Sequence, residues 1–244
     1  MLFVRRAHEH FHSQLDWLSS YWHFSFDQYY DPQNMNWGAL RVFNEDVIQP
    51  AAGFPMHPHR DMEIITYVLN GTLSHRDNLE NKGTVNAGEV QVMTAGTGIV
   101  HSEYNASKEK KVHLVQMWVL PEKKGLRPQW GQKAFSKRAR ANKLLGIVCG
   151  SKEKDRAFKD ALRIHQDAKL YVGQLEKGKR VEHSTGLARR VYVFLFDGKL
   201  EVRAGPKQRV VLAKQDAVRV HDETVLLFRA LKASEFLVWD CVDV

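Results

Sequence analysis

The sequence predicts an all-β fold built from two tandem barrels, and three features of the chain support this. Apolar residues are concentrated in short runs rich in Val, Ile, Leu, Tyr and Phe, which favour strands. Turn-forming pairs such as Asn70-Gly71 and Asp197-Gly198 separate these runs. A strand–turn–strand unit also occurs twice. Many short strands with few helical segments are typical of sandwiches and barrels.

The individual elements follow from local composition. Each predicted strand is an apolar run bounded by polar or glycine-containing turns. The predicted strands are 64–69, 90–94, 112–120, 169–175, 191–196, 209–212 and 225–231, and short helices are predicted at 136–143 and 155–160.

An internal repeat divides the chain into two similar halves. The segment VLNGTL at 68–73 resembles LFDGKL at 195–200, which lies 127 residues further along the chain. A second strand-like segment begins 17 residues after each central glycine, Gly71 and Gly198. Because a repeat of this kind determines the architecture, we expect one barrel in residues 1–130 and another in residues 131–244. The polar, basic segment 121–154 would connect them.

Composition excludes several classes of protein. Apolar residues make up 43% and charged residues 26% of the chain, as in soluble globular proteins. No uncharged apolar run reaches the roughly 18 residues of a membrane span, and the N-terminus lacks the apolar segment and cleavage site of a secretory signal. The only two cysteines, Cys149 and Cys241, have no metal-binding spacing. We therefore expect a cytoplasmic protein with reduced thiols and no contact with membranes, and a monomer because the two barrels could cover each other's apolar surfaces.

The net charge of +8 raises the question of nucleic-acid binding. The basic residues are spread widely, with some enrichment at 123–156, and no known nucleic-acid motif or ladder of aromatic residues accompanies them. We expect a solvated basic face and no specific nucleic-acid partner. Weak attraction to acidic partners or anionic substrates stays open.

Two histidine-containing dyads carry the strongest chemical signal. His57 and His59 flank Pro58, and His101 and Glu103 follow after a glycine-containing turn at 96–98. Alternate residues of a strand point to the same face, and Pro58 restricts His57 to extended conformations. Two such strands facing into one barrel would supply three imidazoles and one carboxylate, a donor set that suits divalent transition metals.

The sequence around these dyads resembles the pirin family of the cupin superfamily. The segments FPMHPHRDMEIITYVLNGTLSHRD (54–77) and GEVQVMTAGTGIVHSEYN (88–105) are close to the family's signature segments, and looser resemblance covers nearly the full length. The resemblance implies a bicupin, two tandem cupin (jelly-roll-like) β-barrels. It also implies that the N-terminal barrel binds one metal ion through four side chains, His57, His59, His101 and Glu103. Iron is the favoured ion, and Ni, Co, Mn, Cu and Zn are also compatible.

One alternative exists for the carboxylate ligand. In many other cupins the ligand is a glutamate four residues after the second histidine, and Glu63 has that spacing from His59. The resemblance to pirin favours Glu103. Glu63 stays open as a residue that could instead orient an imidazole.

The repeat predicts a second barrel without metal ligands. Adding 127 to the four ligand numbers gives Ser184, Gly186, Phe228 and Ala230. A small gap in the alignment would bring His183 to the first position, but no complete dyad forms. We expect His183 to be a hydrogen-bonded or surface histidine.

The resemblance suggests three classes of function. Some pirin-family members resemble quercetin 2,3-dioxygenases in activity, and these enzymes open the central ring of flavonols and release carbon monoxide. This implies a flavonol-like substrate, O₂ as co-substrate, and Glu103 as the general base for the flavonol 3-hydroxyl. Other pirins resemble regulatory cofactors, in which the state of the metal changes the surface offered to a protein partner. A different cupin chemistry is the third class, because fold does not fix function.

Overall fold

The computed structural model describes residues 1–244 and confirms the all-β architecture, with 59% of residues in strands and 4% in helices. The elements are β1 (Leu2–Arg5), β2 (Phe11–Gln14), β3 (Leu18–Trp22), β4 (Leu40–Ile48), β5 (Gly53–His59), β6 (Glu63–Asn70), β7 (Thr72–Asp77), β8 (Lys82–Asn86), β9 (Glu89–Thr94), β10 (Ile99–Asn105), β11 (Val112–Val119), β12 (Gln129–Ala134), α1 (Lys137–Arg140), β13 (Lys143–Gly150), β14 (Leu162–Ile164), β15 (Ala168–Leu175), β16 (Arg180–Ser184), β17 (Arg189–Asp197), β18 (Lys199–Ala204), β19 (Gln208–Ala213), β20 (Ala217–Val220), β21 (Val225–Ala230) and β22 (Ser234–Val242), with 3₁₀ helices at Ala7–Glu9 and Arg156–Phe158.

The strands form two barrels of the same design. The first barrel consists of a seven-stranded sheet in the order β12-β9-β6-β11-β4-β3-β2 and a four-stranded sheet in the order β5-β10-β7-β8. The second barrel repeats this with the sheets β1-β20-β17-β22-β15-β13-β14 and β16-β21-β18-β19. Neighbouring strands are antiparallel except for β13 and β14. The sequence repeat therefore corresponds to a structural repeat.

The repeated turns explain why glycine occupies the same place in both halves. Gly71 and Gly198 have φ angles of +84° and +95°, which side chains disfavour. A Cβ on Gly71 would lie 2.8 Å from the carbonyl oxygen of Lys111, and one on Gly198 would collide with the carbonyl oxygen of Ala233. Only glycine fits these hairpins without strain.

The two seven-stranded sheets pack face to face. One cluster of 24 buried residues takes members from both sheets, so the barrels share an apolar core instead of lying side by side. Tyr67 and Met117 enter it from the first barrel, and Tyr192 and Trp239 from the second. The indole Nε1 of Trp239 donates to the sulfur of Met117 at 2.9 Å.

Two strands complicate the division of the chain at residue 130. Strand β1 lies at the N-terminus but pairs with β20 of the second barrel, with Leu2 opposite Val220. Strand β12 runs through residue 130 and pairs with β9 of the first barrel. The boundary at residue 130 stays a prediction. The first barrel's sheet continues past residue 130 through β12, and the N-terminal strand β1 belongs to a sheet of the second barrel.

Two of the three short helices, α1 and the 3₁₀ helix at Arg156–Phe158, lie within the segments predicted to be helical, and the 3₁₀ helix at Ala7–Glu9 was not predicted. Ser136 caps α1 by accepting a hydrogen bond from the backbone of Ala139, and Asp155 caps the second 3₁₀ helix in the same way through Ala157. None of the helices has the length and apolar character needed to cross a membrane. Cys149 and Cys241 are both buried and form no disulfide.

Candidate metal centre

Two neighbouring strands of the first barrel, β5 and β10, carry the predicted ligands; His57, His59 and His101 group together, whereas Glu103 groups with His101 and with His75 of β7. On β10, His101 lies opposite His57 of β5 and opposite Asp77 of β7. Two residues further, Glu103 lies opposite His75 of β7. Because side chains alternate along each strand, these residues point to one face.

The three histidines His57, His59 and His101 form a compact group. Their potential ligand atoms all lie within 4.8 Å of one another, and the ring centroids are 4.4 to 5.0 Å apart. His101 is buried, whereas His57 and His59 are partly exposed. The group is therefore open on the β5 side and closed behind His101.

The protonation of these rings suits metal binding. Burial lowers the pKa of His59 to about 4 and that of His101 to about 2, with neighbouring histidines adding to the effect. Both rings are therefore neutral at pH 7. The Nδ1 of His57 donates to the carbonyl oxygen of Pro55 at 2.7 Å, which leaves its Nε2 with a free lone pair. The Nε2 of His101 is buried and has no hydrogen-bond partner.

Glu103 lies deeper in the barrel than the exposed histidines. Its ligand oxygen lies within 4.8 Å of ligand atoms of His75 and His101. The side-chain amide of Gln116 donates to its Oε2 at 2.7 Å, and that of Gln91 donates to its Oε1. Burial raises the pKa of Glu103 to about 7, although the bonds from Gln116 and Gln91 oppose this. Both carboxylate oxygens are thus held by amide donors.

Two tryptophans fix the orientation of these amides. The Nε1 of Trp130 donates to Oε1 of Gln91 at 3.1 Å, and the Nε1 of Trp118 donates to Oε1 of Gln116 at 3.1 Å. An indole N–H can only donate, so each glutamine must turn its oxygen to the tryptophan and its NH₂ group to Glu103. The carboxylate is therefore held in a prearranged position.

Glu63, the alternative carboxylate, lies on the other face of the sheet. Along β6, Thr66 faces the barrel interior, where its Oγ1 accepts a bond from Gln91 at 3.2 Å. Glu63 shares the opposite face with Tyr67, towards the core between the barrels. Its Oε2 accepts a hydrogen bond from Thr94 at 2.8 Å, and burial raises its pKa to about 7. Glu63 is thus directed away from the histidine group.

In the second barrel, strand register corrects the equivalences expected from the repeat. Residue pairing on β21 places Leu226 opposite His183 and Phe228 opposite Val202. In the first barrel the residues in these places on β10 are His101, opposite His57 and Asp77, and Glu103, opposite His75. Equivalent residues of β10 and β21 are therefore separated by two residues fewer than the spacing of 127. Leu226 and Phe228 therefore take the places of His101 and Glu103, instead of Phe228 and Ala230.

The same register places His183 where the first barrel has His57. His183 is buried, and its Nε2 bonds to Oδ2 of Asp240 at 2.8 Å. The expectation of a hydrogen-bonded histidine is confirmed. With Leu226 and Phe228 beside it, His183 has no imidazole or carboxylate at the positions equivalent to His101 and Glu103.

Sequence reasoning missed three residues of the centre, namely His75, Gln91 and Gln116. The sequence signal for His75 was its alternation with Asp77 directly after the Asn70-Gly71 turn, which resembles the alternation in the recognised dyads. The signal for the glutamines was a polar residue within an otherwise apolar strand. A buried polar group of this kind usually has a partner that the strand itself does not reveal.

Comparison with known proteins identifies the family. A family model described as Pirin matches residues 4–119, and one described as the quercetinase C-terminal cupin domain matches residues 150–241. A protein named quercetin 2,3-dioxygenase from Escherichia coli (strain K12) is 40% identical over 98% of this chain and 98% of its own length. The chain belongs to the pirin family. A pirin-like protein from Caulobacter vibrioides is 43% identical over 92% of both chains.

Solved structures of pirins have the same two-barrel fold. The bacterial pirin YhhW from Escherichia coli, in complex with nickel(II), superposes with a TM-score of 0.90 at 38% identity over the whole of both chains. A quercetin 2,3-dioxygenase from Acinetobacter baumannii superposes with a TM-score of 0.71 at 20% identity, over 96% of this chain and 84% of that chain. This second likeness shows the shared fold alone.

The residues of this pirin-family chain fit a divalent metal ion. Neutral imidazoles and a carboxylate are suitable donors for several first-row ions. The unpartnered Nε2 of His101 supports the fit independently of the family, because His101 also has a ligand atom within 4.8 Å of those of His57 and His59.

Proposed function

We propose that this pirin binds one divalent transition metal ion through His57, His59, His101 and Glu103 and acts as a quercetin 2,3-dioxygenase-type oxygenase on a flavonol-like substrate with O₂. The convergence of three histidines at one open face, with the buried carboxylate of Glu103 behind His101, is the observation that carries this proposal. The names of the relatives support the substrate class.

Each residue has a distinct role in this proposal. A bound ion would supply a Lewis-acidic centre able to polarise a substrate oxygen. His57 and His59 lie on the accessible side and would present the ion to the substrate. Glu103 would accept the proton of the substrate hydroxyl as a general base. Its two oxygens each accept one amide bond and retain a second lone pair for this purpose.

The surroundings of the carboxylate support a role as a base. The indole N–H groups of Trp118 and Trp130 donate to the glutamines that hold Glu103. Trp118 also packs edge-on against His59, with 4.9 Å between ring centroids. The carboxylate is 2% exposed. Water is thus largely kept from the base, and its position is fixed before a substrate binds.

The resident ion and the cellular location are further parts of the proposal. We propose iron, since a set of histidines and a carboxylate with open positions suits iron in oxygenases. The nickel(II) complex of the Escherichia coli relative supports a divalent ion without deciding which one. The two free, buried cysteines are compatible with the cytoplasm.

Anaerobic purification with elemental analysis, followed by an assay with quercetin and O₂, tests the proposal. We expect about one equivalent of metal per chain, and turnover that is lost in His59→Ala but kept in His12→Ala, an exposed histidine outside the centre. One equivalent of metal without turnover would overturn the oxygenase and favour a regulatory protein. No metal after attempted reloading would overturn the centre itself.

A further inference from the structure

Asp77 is the first member of a buried chain of hydrogen bonds that leads to His101. Its Oδ1 accepts from the backbone amides of Leu79 at 2.9 Å and Asn81 at 3.0 Å, and its Oδ2 accepts from the side-chain amide of Asn81 at 2.9 Å. Burial alone would raise the pKa of Asp77, but bonds from Asn81, His75 and Leu79 outweigh this and lower it. Asp77 is therefore an ionised carboxylate that can only accept.

This carboxylate determines which nitrogen of His75 carries the proton. The Nε2 of His75 lies 3.3 Å from Oδ2 of Asp77, so Nε2 must be the donor. In the neutral ring the other nitrogen, Nδ1, is then an acceptor.

The acceptor on His75 in turn determines the state of His101. The two Nδ1 atoms lie 3.5 Å apart, and both rings are almost completely buried. Since His75 Nδ1 accepts, His101 Nδ1 must carry its proton, and the lone pair of His101 is left on Nε2. That Nε2 is the buried atom without a partner.

His75 is itself held in place by Trp130. The two rings are stacked with their centroids 4.9 Å apart and an interplanar angle of 13°. Trp130 fits over strand β8 because residue 83 is glycine, and a Cβ there would collide with the indole ring. The imidazole of His75 therefore has little freedom to turn away from His101.

We propose that His75, oriented by Asp77 and Trp130, is a positioning residue that fixes the tautomer of His101 and makes Nε2 its ligand atom. A hydrogen bond from the non-ligating nitrogen of a histidine orients the ring and increases the basicity of the ligating nitrogen. The inference rests on the proposed metal centre, and it adds a fifth residue whose effect is exerted through His101 alone.

Nickel(II) titration of the metal-free protein tests this with two variants. His75→Leu removes the acceptor, and we expect a loss of about 10- to 100-fold in nickel affinity. His75→Asn keeps an oxygen near the place of Nδ1 and should restore most of the affinity. His113→Leu is the matched control, because His113 of the same barrel bonds to Glu45 at 2.8 Å outside the centre.

Two spectroscopic measurements separate positioning from a general loss of structure. The d–d spectrum of the cobalt(II)-loaded protein should change in His75→Leu and not in His113→Leu. A long-range ¹H–¹⁵N correlation spectrum of the metal-free parent should show His101 protonated at Nδ1. This measurement does not depend on the folding of any variant. Protonation of His101 at Nε2 would overturn the inference.

The possible failures are distinguishable. If the parent binds nickel and His75→Leu binds it equally tightly with the same cobalt spectrum, the positioning role is overturned and the proposed centre stands. An equal loss of affinity in His113→Leu also overturns it, because barrel stability would then explain both. A parent that binds no nickel overturns the proposed centre together with this inference.

Discussion

In the first barrel, β11, β6 and β9 place Gln116, Thr66 and Gln91 side by side across the sheet. The equivalent strands of the second barrel place valines in the same row, namely Val238, Val193 and Val218. In the first barrel this row faces Glu103, whereas in the second it faces Phe228. The same backbone position thus supports a polar shell in one barrel and apolar packing in the other.

The apolar interiors differ accordingly. The second barrel encloses one cluster of 15 buried apolar residues. The first has two separate clusters of seven and four, and the polar centre lies among the remaining interior residues. Because buried apolar area is the main source of folding stability, we infer that the second barrel acts as the stable support and that a bound ion would stabilise the first barrel.

The largest expected contrast comes from matched alanine substitutions in the two barrels. His101→Ala removes the imidazole with the unpartnered Nε2 and should abolish stoichiometric binding of nickel(II). Leu226→Ala, at the equivalent position, should leave binding unchanged but lower the free energy of unfolding by about 2–5 kcal/mol. Metal analysis and denaturant titration measure the two effects. Parent-like affinity in His101→Ala would contradict the assigned centre.

The next contrast concerns pH and Glu103. In the metal-free protein burial raises the pKa of Glu103 to about 7, so below pH 7 a metal ion must displace its proton. Because only the deprotonated carboxylate binds the ion, nickel affinity should rise about fivefold from pH 6 to pH 7 and less than about twofold from pH 7 to pH 8. His59 and His101, with pKa values lowered to about 4 and about 2, are neutral throughout this range and add no slope. Calorimetric titrations from pH 6 to 8 measure this dependence.

Glu103→Gln provides the control for the pH dependence. The amide has a similar shape and no proton to lose, so the variant should bind nickel weakly with a much flatter pH profile. A parallel slope in both proteins would mean that another group releases the proton, and Glu103 would then not be the titrating ligand.

Exchanging single members of the two rows should have a smaller effect. Gln116→Val removes the amide that donates to Oε2 of Glu103 and should weaken nickel binding by about 10- to 100-fold. Val238→Gln, the reverse change in the second barrel, buries an amide without a partner and should cost about 1–3 kcal/mol of folding stability. It should not alter metal content. Weaker metal binding in Val238→Gln would show that the barrels are coupled.

The comparison also shows how much the sequence could predict. The two histidine-containing dyads could be recognised because alternation along a strand is a local property, and His57, Pro58 and His59 show it directly, whereas the choice of Glu103 over Glu63 rested on the resemblance to pirin. The repeat could be recognised for the same reason, because the turns at Gly71 and Gly198 are also local sequence patterns. The two-residue shift on β21 could not be predicted, since register depends on which residues meet across strands and not on sequence spacing alone.

Contacts between distant segments were equally hidden from the sequence. The pairing of Leu2 with Val220 joins residues 218 positions apart, and no local pattern in β1 indicates its partner. The role of Trp130 depends on where β12 crosses the barrel, which the segment after residue 120 does not encode locally. The sequence therefore indicated candidate ligands more readily than the residues that orient them, because the ligand dyads are local patterns and the orienting contacts are not.

The smallest contrast compares two tryptophan N–H groups. Trp130→Phe keeps an aromatic ring against His75 but removes the donor to Gln91, whose amide could then turn its oxygen towards Glu103. A hydrogen bond of about 1 kcal/mol corresponds to roughly a fivefold loss of nickel affinity. Trp37→Phe removes a comparable bond, from Nε1 to the carbonyl oxygen of Val191 at 2.9 Å, at the contact between the barrels. Trp37→Phe should lower the free energy of unfolding by about 1 kcal/mol without changing the affinity for nickel. Equal affinities in both variants would mean that Gln91 keeps its orientation without Trp130, and the prearranged carboxylate would then depend on Thr66 and the barrel wall.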